Sequence, residues 1–298
     1  FCPGGGRMQF AMVSMNLLGA GTLSTYIITG AWSKAAAKEA LRFGRVQSAF
    51  SGSGNRIPAD EELEVIPETS YCAYCDNETI DGIEFERVPV LKDAEAVPLV
   101  ADMTSNFLTR PVDVNKFGLF YASAQKNLGI AGLAVIVLRR DLLGLAGTEV
   151  PTLLNYSVYS RTDSVPNTPP VFQLYVANLM AQWIEAHGGV ALMDEYARAR
   201  AKIVYDAIDA MPEMYVSHVE RESRSRVNAV FRLKDEALTA LFVKEAAEAG
   251  LANLAGHRAV GGIRASMYNA MPIEGVQKLA DFMKTFAHRH GRTQSAVN

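Results

Sequence analysis

The stretch from Tyr121 to Leu138 constrains the fold of this chain most strongly. It ends in an unbroken apolar run, Leu133 to Leu138, and such a run predicts a strand that is buried on both faces of a sheet. Lys126 precedes this strand among small residues and the glycines Gly129 and Gly132. Enclosure would strip water from its ammonium group and favour a neutral, nucleophilic amine. A solvated loop lysine is the alternative, and it is the more ordinary one for a lysine taken alone.

The composition is that of a globular protein and argues against several classes of function. The 298 residues include 29 lysines and arginines and 32 aspartates and glutamates, a net charge of -3, so the chain lacks the basic excess of a nucleic-acid-binding surface. Polar residues interrupt every apolar run before it reaches the length of a membrane span. We therefore expect neither nucleic acid nor a membrane as a partner. Three cysteines give an odd count and no disulfide framework, which predicts a reducing, cytoplasmic location.

The chain opens on a glycine-rich turn, Gly4 to Arg7, which leads directly into the apolar stretch from Met8 to Leu18. That stretch predicts a buried helix. A glycine-rich turn at a helix start presents backbone N–H groups at the positive end of the helix dipole, which suits a phosphate; a plain turn is the alternative. Because the strand that should lead into such a turn is absent, we expect the sequence to lack its true N-terminal segment, and its first residues have no features of a signal peptide.

Two short apolar stretches predict strands whose carboxyl ends carry functional side chains. Thr25 to Ile28 is followed by Trp32, and Leu99 to Ala101 closes on Asp102. In open α/β sheets ligands gather at the carboxyl ends of strands. There the Trp32 indole could stack on a planar ring, and the Asp102 carboxylate would need a cationic partner. A packing tryptophan and a helix N-cap are the alternatives. We expect Asp102 and Lys126 to lie on neighbouring strand ends.

A Cys-x-x-Cys pair follows a less regular segment. Residues 44–69 predict a surface loop with a short helix, and Cys72 and Cys75 then end a strand. Zinc takes four ligands, however, and the nearest histidine, His187, lies far along the chain. A redox pair of the thioredoxin type opens a helix instead of ending a strand. We therefore predict no metal site.

The second half of the chain predicts a smaller α/β unit. A polar segment, Asn155 to Pro170, precedes a helix with Thr168 as its N-cap and Pro169 at its first position. We place a domain boundary at the end of this helix, which gives a large domain over 1–187 and a small one over 188–298. The further predicted elements are a helix to Met211, strands from Val227 to Leu233 and from Ile263 to Tyr268, helices from Glu236 to Gly250 and from Ile273 to His290, and a frayed tail from Thr293 to Asn298.

Three cationic or titratable side chains lie among glycines near the C-terminus: His257, Arg258 and Arg264. Guanidinium groups bind carboxylates and phosphates through two parallel hydrogen bonds, so the segment suits recognition of such groups. A surface hairpin with ordinary salt bridges is the alternative, and the more ordinary one for this segment alone.

Taken together, these residues predict a site for pyridoxal phosphate. Lys126 would form a Schiff base with the cofactor aldehyde, and the Asp102 carboxylate would keep the pyridine nitrogen protonated so that the ring can accept electrons. Trp32 would stack on the ring, and the glycine-rich helix start would take the phosphate. The combination is much more specific than any of its members.

The sequence resembles the phosphoserine aminotransferases, a class V, fold-type I family of pyridoxal phosphate-dependent enzymes. The resemblance spans essentially the whole chain in family order. It rests on Gly4 to Phe10, Gly30 to Trp32, Asn77 to Gly82, Ser105 to Asp113, Ala124 to Asn127, Asn167 to Pro170 and Gly256 to Pro272. It implies an α/β fold with a large domain, whose mostly parallel sheet is flanked by helices, and a smaller C-terminal α/β domain.

The resemblance also implies roles for individual residues around the cofactor. Lys126 would carry the cofactor, Asp102 would pair with the pyridinium, Trp32 would stack on the ring and Thr79 would contact it. The cofactor phosphate would be held by Gly6, Arg7 and Gln125, and by Asn167 and Thr168 from the neighbouring subunit. The active site would then be shared between the two subunits of a homodimer.

For the substrate, the resemblance implies that Arg264 binds the α-carboxylate and that His257 and Arg258 help bind a phosphate. The implied reaction moves an amino group between L-glutamate and 3-phosphohydroxypyruvate, giving O-phospho-L-serine and 2-oxoglutarate, as in serine biosynthesis. A 4-phosphohydroxythreonine substrate, as in pyridoxine biosynthesis, is also considered.

Two departures from the family pattern keep alternatives open. The family has an N-terminal Gly-Pro loop and a His-Arg pair that this sequence lacks, and Ile130 stands where the family has a proline. The alternatives are another class V enzyme, such as a different aminotransferase or a cysteine desulfurase, and a non-catalytic fragment that folds and dimerises without turnover.

Overall fold

The computed structural model describes residues 1–19, 21–258 and 260–291. In these ranges no helix combines the length and the apolar character that a membrane crossing requires. The predicted frayed tail, Thr293 to Asn298, lies outside the described residues.

The described residues form twelve strands and seven α-helices. The strands are β1 (Cys2–Gly4), β2 (Leu23–Ile28), β3 (Arg45–Ser51), β4 (Cys72–Cys75), β5 (Asn77–Glu78), β6 (Ile83–Glu84), β7 (Leu99–Asp102), β8 (Leu119–Ser123), β9 (Gly132–Leu138), β10 (Tyr215–Val216), β11 (Asn228–Leu233) and β12 (Ile263–Ser266). The α-helices are α1 (Gly6–Leu17), α2 (Ala31–Ala40), α3 (Tyr156–Arg161), α4 (Val171–Ala186), α5 (Gly189–Asp209), α6 (Thr239–Glu248) and α7 (Ile273–His290).

A seven-stranded sheet in the order β1-β9-β8-β7-β4-β2-β3 organises the N-terminal part. Strands β3, β2, β4, β7 and β8 run parallel, whereas β9, near one edge, runs antiparallel to both of its neighbours, β8 and β1. Helices α1 and α2 pack with α3 on one face, around Tyr26, Val100 and Tyr121. The opposite face buries a second cluster around Ile27 and Phe120. A mostly parallel sheet with flanking helices confirms the predicted fold class.

The parallel strands end at one edge of the sheet, and this edge positions the candidate site. Asp102, at the end of β7, pairs in register with Cys75 of β4 and with Tyr121 of β8. Lys126 lies in the turn after β8. Asp102 and Lys126 therefore lie at the ends of neighbouring strands, as the sequence predicts.

A separate apolar core lies in the C-terminal part. Its buried members all fall between Ala201 and Phe286, and they pack α5, α6 and α7 against the three-stranded sheet β10-β11-β12. This core is compatible with a small C-terminal domain. The boundary between 1–187 and 188–298 stays a prediction.

The apolar run at β9 is a strand, as predicted, but its expected burial on both faces is wrong. Leu133 and Ala134 are completely buried, whereas Val137 is 39% exposed. The reason is the length of β1, which pairs only with Gly132, Leu133 and Ala134. Beyond that point β9 is the edge of the sheet, where full burial is not enforced.

Two strands of the seven-stranded sheet were missed, because the sequence offers no apolar run at either of them. Residues 44–69, predicted as a loop with a short helix, contain β3, an edge strand with mostly exposed or half-buried residues, in addition to a short 3-10 helix over Asp60–Glu62. The expectation that no strand precedes the first helix is also wrong, since β1 leads directly into α1. With three residues, β1 is too short to carry a recognisable pattern.

The predicted N-cap of α4 is wrong. The helix begins at Val171 with Pro170 at the N-cap position, and no side chain caps it. A residue before a proline is driven out of the helical region, so Pro169 cannot open the helix and Thr168 cannot cap it. The polar segment before it is not all loop, because Asn155 accepts a hydrogen bond from Ser157 N at 2.9 Å and caps α3.

Candidate active site

A cleft of about 500 Å³ opens at the carboxyl ends of the parallel strands. It is lined by Gly6, Arg7, Phe10, Trp32, Cys75, Asn77, Asp102, Thr104, Ser105, Gln125 and Lys126. Six of the nine side chains or backbone positions predicted for the cofactor are in this lining: Gly6, Arg7, Trp32, Asp102, Gln125 and Lys126. The structure thus brings together residues from five separate segments of the chain.

The start of α1 forms one wall of the cleft. The N-cap residue Gly5 offers no side-chain cap, so the first N–H groups of the helix are available to an anion. A Cβ atom on Gly6 would come within 2.9 Å of Thr104 Oγ1, and one on Gly5 within 3.2 Å of Ser123 Oγ. A side chain at either glycine would therefore crowd these hydroxyl groups, which suit a phosphate.

Asp102 also lines the cleft, and its carboxylate has one hydrogen bond from a neighbouring backbone group. Its Oδ1 atom accepts a hydrogen bond from Thr104 N at 2.9 Å. Burial raises the pKa of the Asp102 carboxyl, against the lowering effects of Thr104 and of the Lys126 charge. A carboxylate under this desolvation gains most from an adjacent cation. The protonated ring nitrogen of pyridoxal phosphate is such a cation, so the residues present fit the predicted cofactor.

Lys126 reaches the cleft from the turn after β8. It is half-buried, less enclosed than the sequence predicts. The turn itself is fixed by the next residue: Asn127 Nδ2 donates to Phe107 O and to Thr109 Oγ1, each at 3.0 Å, and Asn127 Oδ1 accepts from Asn269 N at 3.0 Å. Asn127 therefore ties the Lys126 turn to a segment 142 residues further along the chain.

Trp32 lies in the first turn of α2, and its indole ring is held in place by two contacts. Its indole Nε1 donates to Thr79 Oγ1 at 2.9 Å. The guanidinium of Arg7 lies 5.3 Å from the indole ring centroid, within the range of a cation–π contact. Thr79 itself is buried and is not part of the cleft lining. Its observed link to the cleft is therefore the hydrogen bond to Trp32.

The remaining predicted residues are less close to the cleft. Arg264, on β12, donates from Nη1 to Thr79 O at 3.2 Å, which places it beside the cofactor residues. His257 is half-buried and Arg258 is exposed. Asn167 and Thr168 are exposed and do not line the cleft of their own chain. Their predicted role requires a second subunit.

The two cysteines of the Cys-x-x-Cys pair lie in different environments. Cys72 packs into the core beneath the sheet, whereas Cys75 lines the cleft. Three residues apart on a strand, their side chains point to opposite faces. Burial raises the pKa of the Cys72 thiol to about 12. In the described ranges, no group of histidine, cysteine and acidic residues could hold a metal ion.

Sequence reasoning missed Asn77, a buried residue that joins the cleft to the C-terminal part. Its Nδ2 atom donates to Ser105 Oγ at 2.8 Å and to Asn228 Oδ1 at 2.9 Å, and its Oδ1 accepts from Ser225 Oγ at 2.6 Å. Every polar atom of the Asn77 amide is thus engaged, which a buried amide requires. Asn228 begins β11, the strand that pairs with the Arg264 strand.

Sequence reasoning also missed Glu78, a fully buried carboxylate behind Trp32. Burial raises the pKa of Glu78 to about 7, against the lowering effect of hydrogen bonds from Ser33 and Trp32. In the unfolded chain Glu78 returns to its ordinary pKa of 4.5. The folded state therefore binds the proton more tightly, and this contribution to stability is present at low pH and is lost as pH rises from about 4.5 to about 7.

Glutamine at position 78 is expected to remove this pH dependence. As the pH rises from 5 to 8, the unmodified protein should lose up to about 3 kcal/mol of unfolding free energy relative to Glu78→Gln. Urea denaturation of both proteins at the two pH values measures the shift. A difference that is the same at both pH values would contradict the raised pKa.

Comparison with known proteins supplies independent evidence. The model of the class V aminotransferase family matches residues 1–279. A phosphoserine aminotransferase of Chromobacterium violaceum is 45% identical over 294 residues, which cover 98% of this chain and 81% of that relative. The chain therefore spans about four fifths of the length of such relatives.

Solved structures agree with the sequence relatives. The phosphoserine aminotransferase of Bacillus circulans subsp. alkalophilus superposes with a TM-score of 0.94 at 41% identity, covering 97% of this chain and 80% of that one. The pyridoxal phosphate-bound phosphoserine aminotransferase of Trichomonas vaginalis gives a TM-score of 0.89 at 38% identity, covering 95% of this chain and 81% of that one.

Proposed function

The chain belongs to the class V aminotransferases, and from that premise we propose that it transfers an amino group between L-glutamate and 3-phosphohydroxypyruvate. The products are O-phospho-L-serine and 2-oxoglutarate. The observation that carries the proposal is the cleft, which places Lys126, Asp102, Trp32 and the start of α1 around one space. As a member of this family, the protein is a pyridoxal phosphate-dependent transaminase.

Bound pyridoxal phosphate supplies an electron sink for the bond-breaking at the substrate amino carbon. Residues of the chain would bind the cofactor and would move the proton that leaves the substrate Cα. Asp102 would pair with the ring nitrogen, Trp32 would cover the ring, and the N–H groups of Gly6 and Arg7 would bind the phosphate. Lys126 Nζ would hold the cofactor aldehyde and, when the substrate amine takes its place there, would be the base that accepts the proton from the substrate Cα.

Substrate selection in this proposal depends on cations at the cleft side of β12. Arg264 binds the α-carboxylate, and His257 and Arg258 contribute to binding of the substrate phosphate. The support is the position of Arg264, whose guanidinium contacts Thr79 O. The same phosphate recognition admits 4-phosphohydroxythreonine as a second substrate. A cysteine desulfurase is disfavoured, since it needs a mobile catalytic cysteine and Cys2, Cys72 and Cys75 are all buried.

Burial of these free cysteines also supports a location for the protein. A reducing compartment leaves such thiols unpaired, and we place the protein in the cytoplasm on that ground.

We also propose that the active enzyme is a homodimer. Helix α4 exposes an apolar stripe, with Val171 66%, Phe172 65%, Tyr175 58% and Leu179 44% exposed. A contiguous apolar stripe of this kind is typical of a protein–protein interface. Asn167 and Thr168 lie just before α4. If a second copy packs on this stripe, Asn167 and Thr168 of one subunit would come close to the cleft of the other subunit.

Glutamate at position 175 is expected to weaken the dimer, because it places a charge in an apolar contact. Tyr175→Glu should shift the protein towards monomer in analytical ultracentrifugation and lower its affinity for pyridoxal phosphate. Leu41→Glu is the matched control, since Leu41 is 60% exposed at the end of α2. Unchanged sedimentation of Tyr175→Glu, or an equal effect of the control, would contradict the proposed interface.

The substrate assignment is tested by spectroscopy of the purified protein with pyridoxal phosphate. Addition of O-phospho-L-serine should convert the visible band of the bound cofactor to that of its amine form. L-Serine and L-alanine at the same concentration should leave the band nearly unchanged. A faster conversion with an unphosphorylated amino acid would assign the chain to another activity within the family.

A further inference from the structure

We propose that Glu78 is a positioning residue that sets the orientation of the Trp32 indole against the cofactor ring. The inference rests on the proposed function, in which Trp32 is the residue that covers the ring. Glu78 does not line the cleft and is completely buried. Its effect on the cofactor must therefore pass through Trp32 and the residues joined to it.

The Glu78 carboxylate caps the N-terminus of α2 in place of a local side chain. Gly30, the N-cap residue, has no side chain for this purpose, and Glu78 reaches it from 45 to 46 residues further along the chain. Glu78 Oε2 accepts from Trp32 N at 2.7 Å. Glu78 Oε1 accepts from Ser33 N at 2.7 Å and from Ser33 Oγ at 2.6 Å. These three donors, at the positive end of a helix, favour the charged form of the Glu78 carboxylate against the effect of its burial, and they hold the side chain in place.

The residue after Glu78 holds the other end of Trp32. Thr79 Oγ1 accepts the indole N–H at 2.9 Å. The backbone N–H and the ring N–H of Trp32 are therefore bound by two consecutive residues. Two fixed points, one on the backbone and one at the far edge of the ring, leave the indole little freedom to turn.

The carboxylate has no room to shift without moving α2. A Cβ atom on Gly30 would lie 2.8 Å from Glu78 Cδ and 2.5 Å from Asp81 Oδ2, so the helix start is pressed directly against both carboxylates. Asp81 accepts from Ala31 N at 2.8 Å and supports the same turn. Glu78 is itself fixed, because it pairs with Ile83 in the β5–β6 hairpin.

The test uses the fact that the chain has two tryptophans, Trp32 and Trp183. In a Trp183→Phe parent, all tryptophan emission comes from Trp32. Binding of pyridoxal phosphate should quench this emission, because the ring lies against the indole. Glu78→Gln, introduced into this parent, keeps the shape of the side chain but accepts through one oxygen only and turns an NH2 group towards the remaining donors.

We expect Glu78→Gln to raise the Kd for pyridoxal phosphate roughly tenfold and to reduce the quenching at saturating cofactor. Glu84→Gln is the matched control. Glu84 is also a buried carboxylate, 2% exposed, but it pairs with Arg226 and is not in the cleft lining. The control should lose stability without changing the saturating quench or the Kd.

The outcomes separate this inference from the function on which it rests. A parent that does not bind pyridoxal phosphate contradicts the proposed function. A parent that binds, with Glu78→Gln showing the same Kd and the same quench, overturns the positioning role alone, as does an equal effect of Glu84→Gln. If Glu78→Gln does not fold, Ser33→Ala removes one of the three donors and must show the same two changes at smaller size, and their absence overturns the inference.

Discussion

Replacement of Lys126 by alanine is expected to abolish transamination, lowering kcat by roughly 10⁴-fold or more. Lys126 is proposed to do two things: it holds the cofactor covalently, and its amine moves the proton between substrate and cofactor. The cleft lining contains no second lysine that could take over. The visible band of the covalently bound cofactor should disappear as well, while cofactor that binds without a covalent bond keeps the spectrum of free pyridoxal phosphate.

Lys116→Ala is the control for this variant. Lys116 is exposed, in the short 3-10 helix Val114–Lys116, and lies outside the cleft lining. It should retain the band and the rate of the unmodified protein. Persistence of the visible band in Lys126→Ala, with turnover within tenfold of the unmodified protein, would remove Lys126 from the proposed role.

Asparagine in place of Asp102 is expected to lower kcat by about 10²- to 10³-fold, by analogy with the loss of one preorganised group at other active sites. The substitution keeps the shape of the side chain and its acceptor for Thr104 N. It removes the negative charge that would hold the ring nitrogen of the cofactor protonated, and an unprotonated ring accepts electrons poorly. The measurement is the rate of each half-reaction with saturating cofactor.

One control variant and one cofactor analogue test this expectation further. Asp113→Asn changes an exposed carboxylate that caps a short 3-10 helix and should leave both half-reactions unchanged. N-methylated pyridoxal phosphate, whose ring nitrogen is permanently cationic, should restore part of the rate to Asp102→Asn. A variant that is as fast as the unmodified protein, or slow without any rescue, would contradict the proposed ion pair.

The sequence predicted the buried and strongly periodic elements of the fold well, and the edges poorly. Helix α7 begins and ends where the apolar stripe predicts, Ile273–His290, and β7 closes on Asp102 as expected. The misses include β1, β3 and the start of α4. An edge strand such as β3 buries little, so its residues need not be apolar. At α4 the proline pair was interpreted from cap preferences, although the restriction that Pro170 places on Pro169 is the stronger effect.

The sequence predicted those residues of the candidate site that lie at the ends of recognisable strands. Trp32, Asp102 and Lys126 each follow a recognisable strand, and the structure gathers all three in one cleft. Thr104, two residues after Asp102, could have been found by the same rule. Glu78 and Asn127 could not, since their partners lie 45 to 46 and 142 residues away in the chain. Asn167 and Thr168 belong, in the proposal, to the site of another subunit, which a single chain cannot display.

The proposed function requires that Lys126 is the amine that holds pyridoxal phosphate. Borohydride reduction of the protein with bound cofactor, followed by proteolysis and mass spectrometry, fixes the cofactor permanently to that amine. We expect the phosphopyridoxyl mass on the peptide that contains Lys126 and on no other lysine. A label on a different lysine, or no label on a protein that binds the cofactor, would contradict it.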